Sequence, residues 1–300
     1  MHPSDPAFAG AYRLYSQPDN IRGTAAMAQA LFDKIGGEGD VMYVAGLPGN
    51  FSADSRAAGV YAALANNPGI NMVAEQNGGE NRVSARPVFE NMLTANPNVK
   101  AVVSYNADTA IAVLDVLRER GLSGKIFTGG IDETSEMLTR IRDDESALGT
   151  VGINGPFMTG YSVVTLFDAL NGVETDPLEQ MRYFASLFID TPEAASKFLE
   201  FMDFSNELPY DFASMSRHLN GDDWTIPWGM EIIDPTDFWG RIESMNKTKP
   251  ANFVVPEAIQ ASLDAGNVAK LNEMYRSHFK PGAISAGIDL TVSKKTVLGF

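Results

Sequence analysis

Between residues 12 and 172, short apolar runs alternate with stretches whose apolar residues recur every three or four positions. This alternation constrains the fold more than any other feature of the chain. The strand-like runs are 12–16, 41–45, 70–74, 101–105, 125–128 and 148–153. Ile21, Ala25, Ala28, Phe32 and Ile35 step along one helical face, and Gly36-Gly37 ends that helix. Residues 53 to 65 behave the same way and stop at Asn66-Asn67-Pro68-Gly69. Ala107, Ala110, Ile111, Leu114 and Leu117 form a third stripe, closed by Gly121. In the weaker pattern over 82–95, Pro87 either kinks a helix or marks its first turn. Strand and helix in this rhythm imply right-handed βαβ units, hence an α/β fold with a doubly wound parallel sheet. Such sheets bind ligands beyond the carboxyl ends of their strands. The segments to examine are therefore 46–56, 76–82, 106–109, 129–134 and 154–157.

After Gly172 the rhythm changes. Thr191-Pro192-Glu193 has the form of an N-cap followed by a first-turn proline, opening a helix through Phe198, Leu199 and Met202. Irregular aromatic sequence follows to Trp239, and a further helix is expected from Pro256 to about His278. The βα alternation is lost here. Residues 173–227 read as an insertion and 245–300 as a mainly helical C-terminal extension.

Composition removes several classes of function. A net charge of −15 over 300 residues argues against a nucleic-acid surface, which needs a basic stripe to displace counterions. With no cysteine, disulfides, thiol nucleophiles and thiolate metal sites are all excluded. His2, His218 and His278 are too far apart for a helical metal motif, so neither metal nor other cofactor is expected. No nucleophile elbow, Walker A loop or EF-hand pattern occurs, and the chain reads as a non-enzyme. Gly46-Leu47-Pro48-Gly49-Asn50 stands where a phosphate loop would, but lacks the spacing and the lysine; it reads as a turn with close backbone approach. Asp143-Asp144-Glu145 reads as a solvated turn. No window is apolar enough for a membrane span, and Met1-His2-Pro3-Ser4-Asp5-Pro6 does not resemble a secretory signal.

What remains is a set of polar residues at strand ends. Arg56 lies near the start of a helix, where a cation opposes the helix dipole; the alternative is a surface arginine. Asn106 follows the strand Val102-Val103-Ser104-Tyr105, and Asp132 follows Gly129-Gly130-Ile131. Each could instead be an N-cap. Asn154 follows the last strand, where asparagine is common in turns. Taken together at one sheet edge, these groups supply donors and acceptors for a polyhydroxylated ligand.

At these residues the chain resembles a known family, the periplasmic sugar-binding proteins related to ribose-binding protein, whose ligand domain is shared by LacI-type repressors. The matching stretches are Asp19-Asn20-Ile21 with Gly23, residues 49–59 with Arg56, and the run from Asn91 to Val102. Tyr105-Asn106-Ala107-Asp108, Gly130-Ile131-Asp132 and residues 149–160 continue the same order over about half the chain. By that resemblance Arg56, Asn106, Asp132 and Asn154 fall on positions that contact sugar hydroxyls, and Glu80 stands where some relatives use an aromatic residue. Tyr105 or Phe157 could supply an apolar face, with core packing as the alternative.

The resemblance also implies a layout. Residues 1–18 would be a hinge-crossing segment, 19–155 a Rossmann-like ligand-binding lobe, and 156–172 a helix of a first lobe that is mostly absent. Residues 173–227 would be the insertion, 228–244 would resemble the last hinge crossing, and 245–300 would be the extension. A truncated chain is the favoured explanation, since the helix at 156–172 would otherwise expose an apolar stripe including Tyr161, Val164 and Leu170. The implied function is capture of a sugar or polyol between two lobes for the permease of an ABC transporter, in the periplasm or outside the cell. The alternative is the sensing domain of a LacI-type regulator or receptor. Pentose, hexose, polyol and furanose ligands all remain open.

Overall fold

The computed structural model describes residues 14–203, 210–235 and 253–280. They divide into two compact units, and the first element among the described residues is strand β1 (Tyr15–Pro18). Residues 12 and 13, the start of the strand expected at 12–16, lie outside the described residues.

The first unit comprises Asn20–Ile153 and Ser186–Asp203. Its elements are α1 (Asn20–Lys34), β2 (Gly39–Ala45), α2 (Phe51–Ala65), β3 (Ile70–Asn77), α3 (Arg82–Ala95) and β4 (Ala101–Ser104). Then come α4 (Ala107–Glu119), β5 (Phe127–Ile131), α5 (Ser135–Asp143) and β6 (Ala147–Gly152). The six-stranded sheet runs in the order β3-β2-β4-β5-β6-β8, where β8 is Leu187–Ile189. All pairs are parallel except β6–β8, which is antiparallel.

Strand β2 is buried from Val41 to Ala45, as expected of a parallel strand covered on both faces. On one side Met42, Val44 and Val102 pack with Phe89 and Met92 of α3 and Val113 of α4. On the other side α1 meets α2 through Gly59, where a Cβ would lie 2.4 Å from the Ile21 carbonyl oxygen. Gly129 and Gly130 in β5 are needed for the same reason. A Cβ at 129 would meet Met27 Sδ at 2.3 Å, and one at 130 would meet the Asn106 carbonyl at 2.7 Å.

The α/β class and the parallel sheet agree with the sequence, with shifts at the ends. The strand expected at 125–128 lies two residues later, at Phe127–Ile131. Pro87 sits inside an unbroken α3. Beyond Gly172 the rhythm changes but strands do not end. Strand β8 extends the sheet, and α7 (Pro192–Phe201), capped by Thr191, belongs to the same unit.

In the second unit, which takes in 14–19, 154–185, 210–235 and 253–280 of the described residues, β1 pairs in parallel with β7 (Met181–Phe184). Strand β7 in turn pairs antiparallel with β9 (Met230–Ile232). Helix α6 (Gly155–Leu170) brings Phe157 against Tyr161, Phe184, Tyr210 and Trp228, with ring centroids 5.3 to 5.9 Å apart. The stripe expected to be exposed on this helix is divided. Tyr161 and Val164 are buried, whereas Leu170 is 78% exposed.

The helix expected from 256 to 278 is two helices. The short α8 (Arg217–Asn220) precedes them, and they are α9 (Glu257–Asp264) and α10 (Asn267–Ser277). Gly266 breaks the run by adopting φ 67°, a left-handed conformation that costs glycine little. Asp176 fastens both helices, accepting from Ser262 Oγ at 2.6 Å and from Asn267 Nδ2 at 2.8 Å. Residues 236–252, including Trp239 and much of the expected last crossing, lie outside the described residues. No helix among the described residues is long and apolar enough to cross a membrane.

Candidate functional site

In the first unit the strand order reverses between β2 and β4, since the chain leaves β2 toward β3 and leaves β4 toward β5. At such a switch point the loops diverge and open a crevice at the carboxyl edge. The segments after β2 and β4 meet there, joined by Arg56.

Arg56 is 5% exposed, which removes the surface alternative. Its Nε donates to Asn20 Oδ1 at 3.0 Å, its Nη1 to the Tyr105 carbonyl at 3.0 Å, and its Nη2 approaches Asp132 Oδ1 at 3.4 Å. The guanidinium also lies over the Tyr105 ring, 4.7 Å from its centroid. One side chain thus ties together α1, the turn after β4 and the turn after β5. The rigid fork of arginine suits three acceptors in different directions.

Asp132 is no N-cap, because Thr134 takes that role by accepting from Met137 N. It adopts φ 85°, a backbone conformation uncommon outside glycine. Its N–H donates to the Val151 carbonyl at 2.8 Å and its own carbonyl accepts from Thr150 Oγ1 at 2.7 Å. Strand β6 therefore holds the residue through two adjacent positions, and its carboxylate remains 29% exposed. Burial raises the pKa of this carboxyl, and the Arg56 charge opposes that rise.

Asn106 is the N-cap of α4, with Oδ1 accepting from Thr109 N at 2.9 Å. Its Nδ2 donates to the Glu80 carbonyl at 3.1 Å. The carboxylate of Glu80 accepts from Asn50 Nδ2 at 3.0 Å, and Asn50 caps α2. Tyr105 is 5% exposed, and burial pushes its hydroxyl up to about 12, with the Glu80 carboxylate adding to the effect against Arg56. Gly46 gives this ring its room, since a Cβ there would stand 2.7 Å from Tyr105 Cδ2. The loop at 46–50 is thus a close approach to an aromatic ring. Asp108 is held by Arg82 Nε at 2.9 Å, and Nη1 of the same arginine reaches Glu136 at 2.7 Å.

Arg56, Asn106, Asp132 and Glu80 therefore come together in one unit. Asn154 belongs to the other. There it caps α6 in a left-handed conformation, accepting from Phe157 N at 3.3 Å and donating Nδ2 to Tyr210 Oη at 2.5 Å. Phe157 is fully buried among aromatic rings, so packing is its role. The residue that sequence reading passed over is Asn20. It stands within Asp19-Asn20-Ile21, yet its Oδ1 anchors Arg56 and its buried Nδ2 has no partner among the described residues. The one sequence signal for it is the amide at a helix start.

The fold is shared with known proteins. No curated protein matches the chain. Among solved structures, an ABC transporter periplasmic solute binding protein from Actinobacillus succinogenes 130z with bound D-allose is 25% identical, with a TM-score of 0.60. The match covers 64% of this chain and 68% of that protein. A galactofuranose binding protein is 26% identical with a TM-score of 0.57, covering 63% of this chain and 64% of that one. The periplasmic component of the arabinose ABC transporter from Shewanella sp. ANA-3, bound to L-arabinofuranose, is 25% identical with a TM-score of 0.55. Coverage is 62% of each chain. The chain thus spans between 62% and 68% of the length of these three proteins. Residues 4–174 match the sequence family described as the periplasmic binding protein domain. With that match over more than half its length, the chain belongs to the periplasmic binding protein domain family, and its sheet is that of the type I fold.

Proposed function

We propose that the chain is the ligand-binding component of an ABC transporter for a sugar or polyol, and that it works by capture without a covalent step. The observation that carries this reading is the partly exposed Asp132 carboxylate held by buried Arg56 at the carboxyl edge of the sheet. A carboxylate fixed in this way accepts from two adjacent hydroxyls, and the amide of Asn106, bonded to the Glu80 carbonyl, and the carboxylate of Glu80 would add a donor and an acceptor. Arg56 acts by orienting Asp132, because its nitrogens are already engaged. Asn154, committed to its cap and to Tyr210, shapes the start of α6. A transporter permease in the membrane would receive the loaded form, and the compartment would be the periplasm.

Solved relatives bound to D-allose and L-arabinofuranose support the ligand class. Isothermal titration of the chain with D-allose, L-arabinose, D-galactose and a polyol tests the reading. At least one should bind saturably, and Asp132→Ala should weaken it by roughly ten- to a hundredfold, the worth of hydrogen bonds to a charged group. Affinity unchanged by that substitution would remove Asp132 from the site. Chemical turnover of any of these ligands would overturn the reading as a binding protein.

A further inference from the structure

The second unit contains a cavity of about 990 Å³ that the proposed sugar site does not use. Ser16 and Arg182 both line it, and they are directly opposite one another in the parallel pairing of β1 with β7. Register partners in a sheet present their side chains on the same face. Two neighbouring donors are therefore unmatched. Ser16 Oγ and Arg182 Nε are buried and have no hydrogen-bond partner among the described residues.

Arg182 is 2% exposed and, among the described residues, pairs with no carboxylate. Its Nη2 donates to Thr165 Oγ1 at 3.0 Å, its Nη1 faces Met230 Sδ at 3.8 Å, and its guanidinium lies 5.0 Å from the Tyr161 ring centroid. Those contacts are neutral. Thr165 donates its own proton to the Tyr161 carbonyl at 3.0 Å. A buried cation held only by neutral groups is costly unless an anion joins it.

The acids around the cavity are already engaged. Glu179 accepts from Arg217 Nη2 at 2.6 Å and from Tyr275 Oη at 2.5 Å. Asp168 accepts from Ser216 Oγ and from the backbone N–H groups of Arg217 and His218 at the start of α8. Glu174 is exposed at the rim. Tyr161, Leu166 and Val173 also line the cavity and are available to a hydrophobic body.

We infer that this cavity binds a small monocarboxylate with an apolar or aromatic body, its carboxylate received by Arg182 and Ser16. Arginine and a hydroxyl side by side offer the parallel donors that a carboxylate accepts.

The experiment titrates the whole chain with benzoate and with benzyl alcohol, which has a similar body and no charge. Benzoate should bind saturably and raise the melting temperature, with benzyl alcohol at least tenfold weaker. Arg182→Met should abolish the difference. Because that buried position bears on folding, Ser16→Ala serves as the milder variant, and benzoate should bind it several-fold more weakly with an unchanged circular dichroism spectrum. Equal binding of the two probes, saturable binding of neither, or a tenfold preference that survives both substitutions would overturn the assignment.

Discussion

Arg56 and Asp132 are 76 residues apart in sequence, and Nη2 of the one stands 3.4 Å from Oδ1 of the other. The arginine comes from α2 and the aspartate from the turn after β5, so the pair forms only when the sheet is complete. Its charges are unequally placed: Arg56 is buried and Asp132 partly open. That asymmetry keeps the carboxylate oriented while leaving an edge of it open to solvent.

Arg56→Met should destabilise the first unit by about 2 to 4 kcal/mol, since the buried Asn20 Oδ1 and Tyr105 carbonyl lose their donor and Asp132 its counter-charge. Arg56→Lys should recover less than half, because one ammonium cannot reach three separated acceptors. Urea midpoints measure both. Full rescue by lysine would show that charge alone matters at this position.

The acid dependence of stability should carry a signature of Asp132. Its carboxyl is raised above the ordinary 3.8, chiefly by burial, so the folded chain binds this proton more tightly than the unfolded chain does. Its stabilising contribution is then greatest below that ordinary value and is lost as pH rises through the raised folded value. Asp132→Asn lacks this titration. Melting temperatures of wild type relative to that variant should fall from about pH 4 upward, and a constant difference would contradict the shift.

Gly59→Ala should weaken the first unit although alanine is the better helix former by about 1 kcal/mol. The new methyl would meet the Ile21 carbonyl at 2.4 Å and the Ala25 nitrogen at 2.9 Å, both backbone atoms that cannot rotate away. Overpacking of about 1–3 kcal/mol should outweigh the propensity gain. Denaturant unfolding decides the sign.

At Asn154, with φ 50° and ψ 58°, alanine and glycine should differ in an instructive order. Asn154→Ala loses the cap, worth about 1 kcal/mol, and adds the left-handed penalty of about 1–2 kcal/mol. Asn154→Gly loses only the cap and the bond to Tyr210. Trp228 packs beside Phe157, so its fluorescence reports unfolding of this unit. Alanine should be the less stable of the two.

Much of the first unit is legible in the amino-acid sequence. Helix periodicity gave α1, α2 and α4 to within a residue or two, because apolar residues at every third or fourth position have one way to reach a core. Arg56, Asn106, Asp132 and Glu80 fall in one unit, since a parallel sheet brings its carboxyl ends to one edge, whereas Asn154 does not join them. Strands β7, β8 and β9 were not legible. Each has only three or four residues, too few for a period of two to stand out, and they pair with partners distant in sequence.

The side-chain roles divide along the same line. Local chemistry in the sequence offered a cap as one of two roles for Asn106 and ended helices at glycine, because those interactions span only a few residues. Whether Arg56 lay on the surface or in the interior, whether Asp132 was a cap or a held carboxylate, and which unit took Asn154 depended on contacts across tens of residues. Burial and counter-charge are properties of the assembled sheet. For that reason the alternation of residues 12–172 determined the class of fold, and only the tertiary structure decided that Asn20, unremarked in the chain, completes the setting of Arg56.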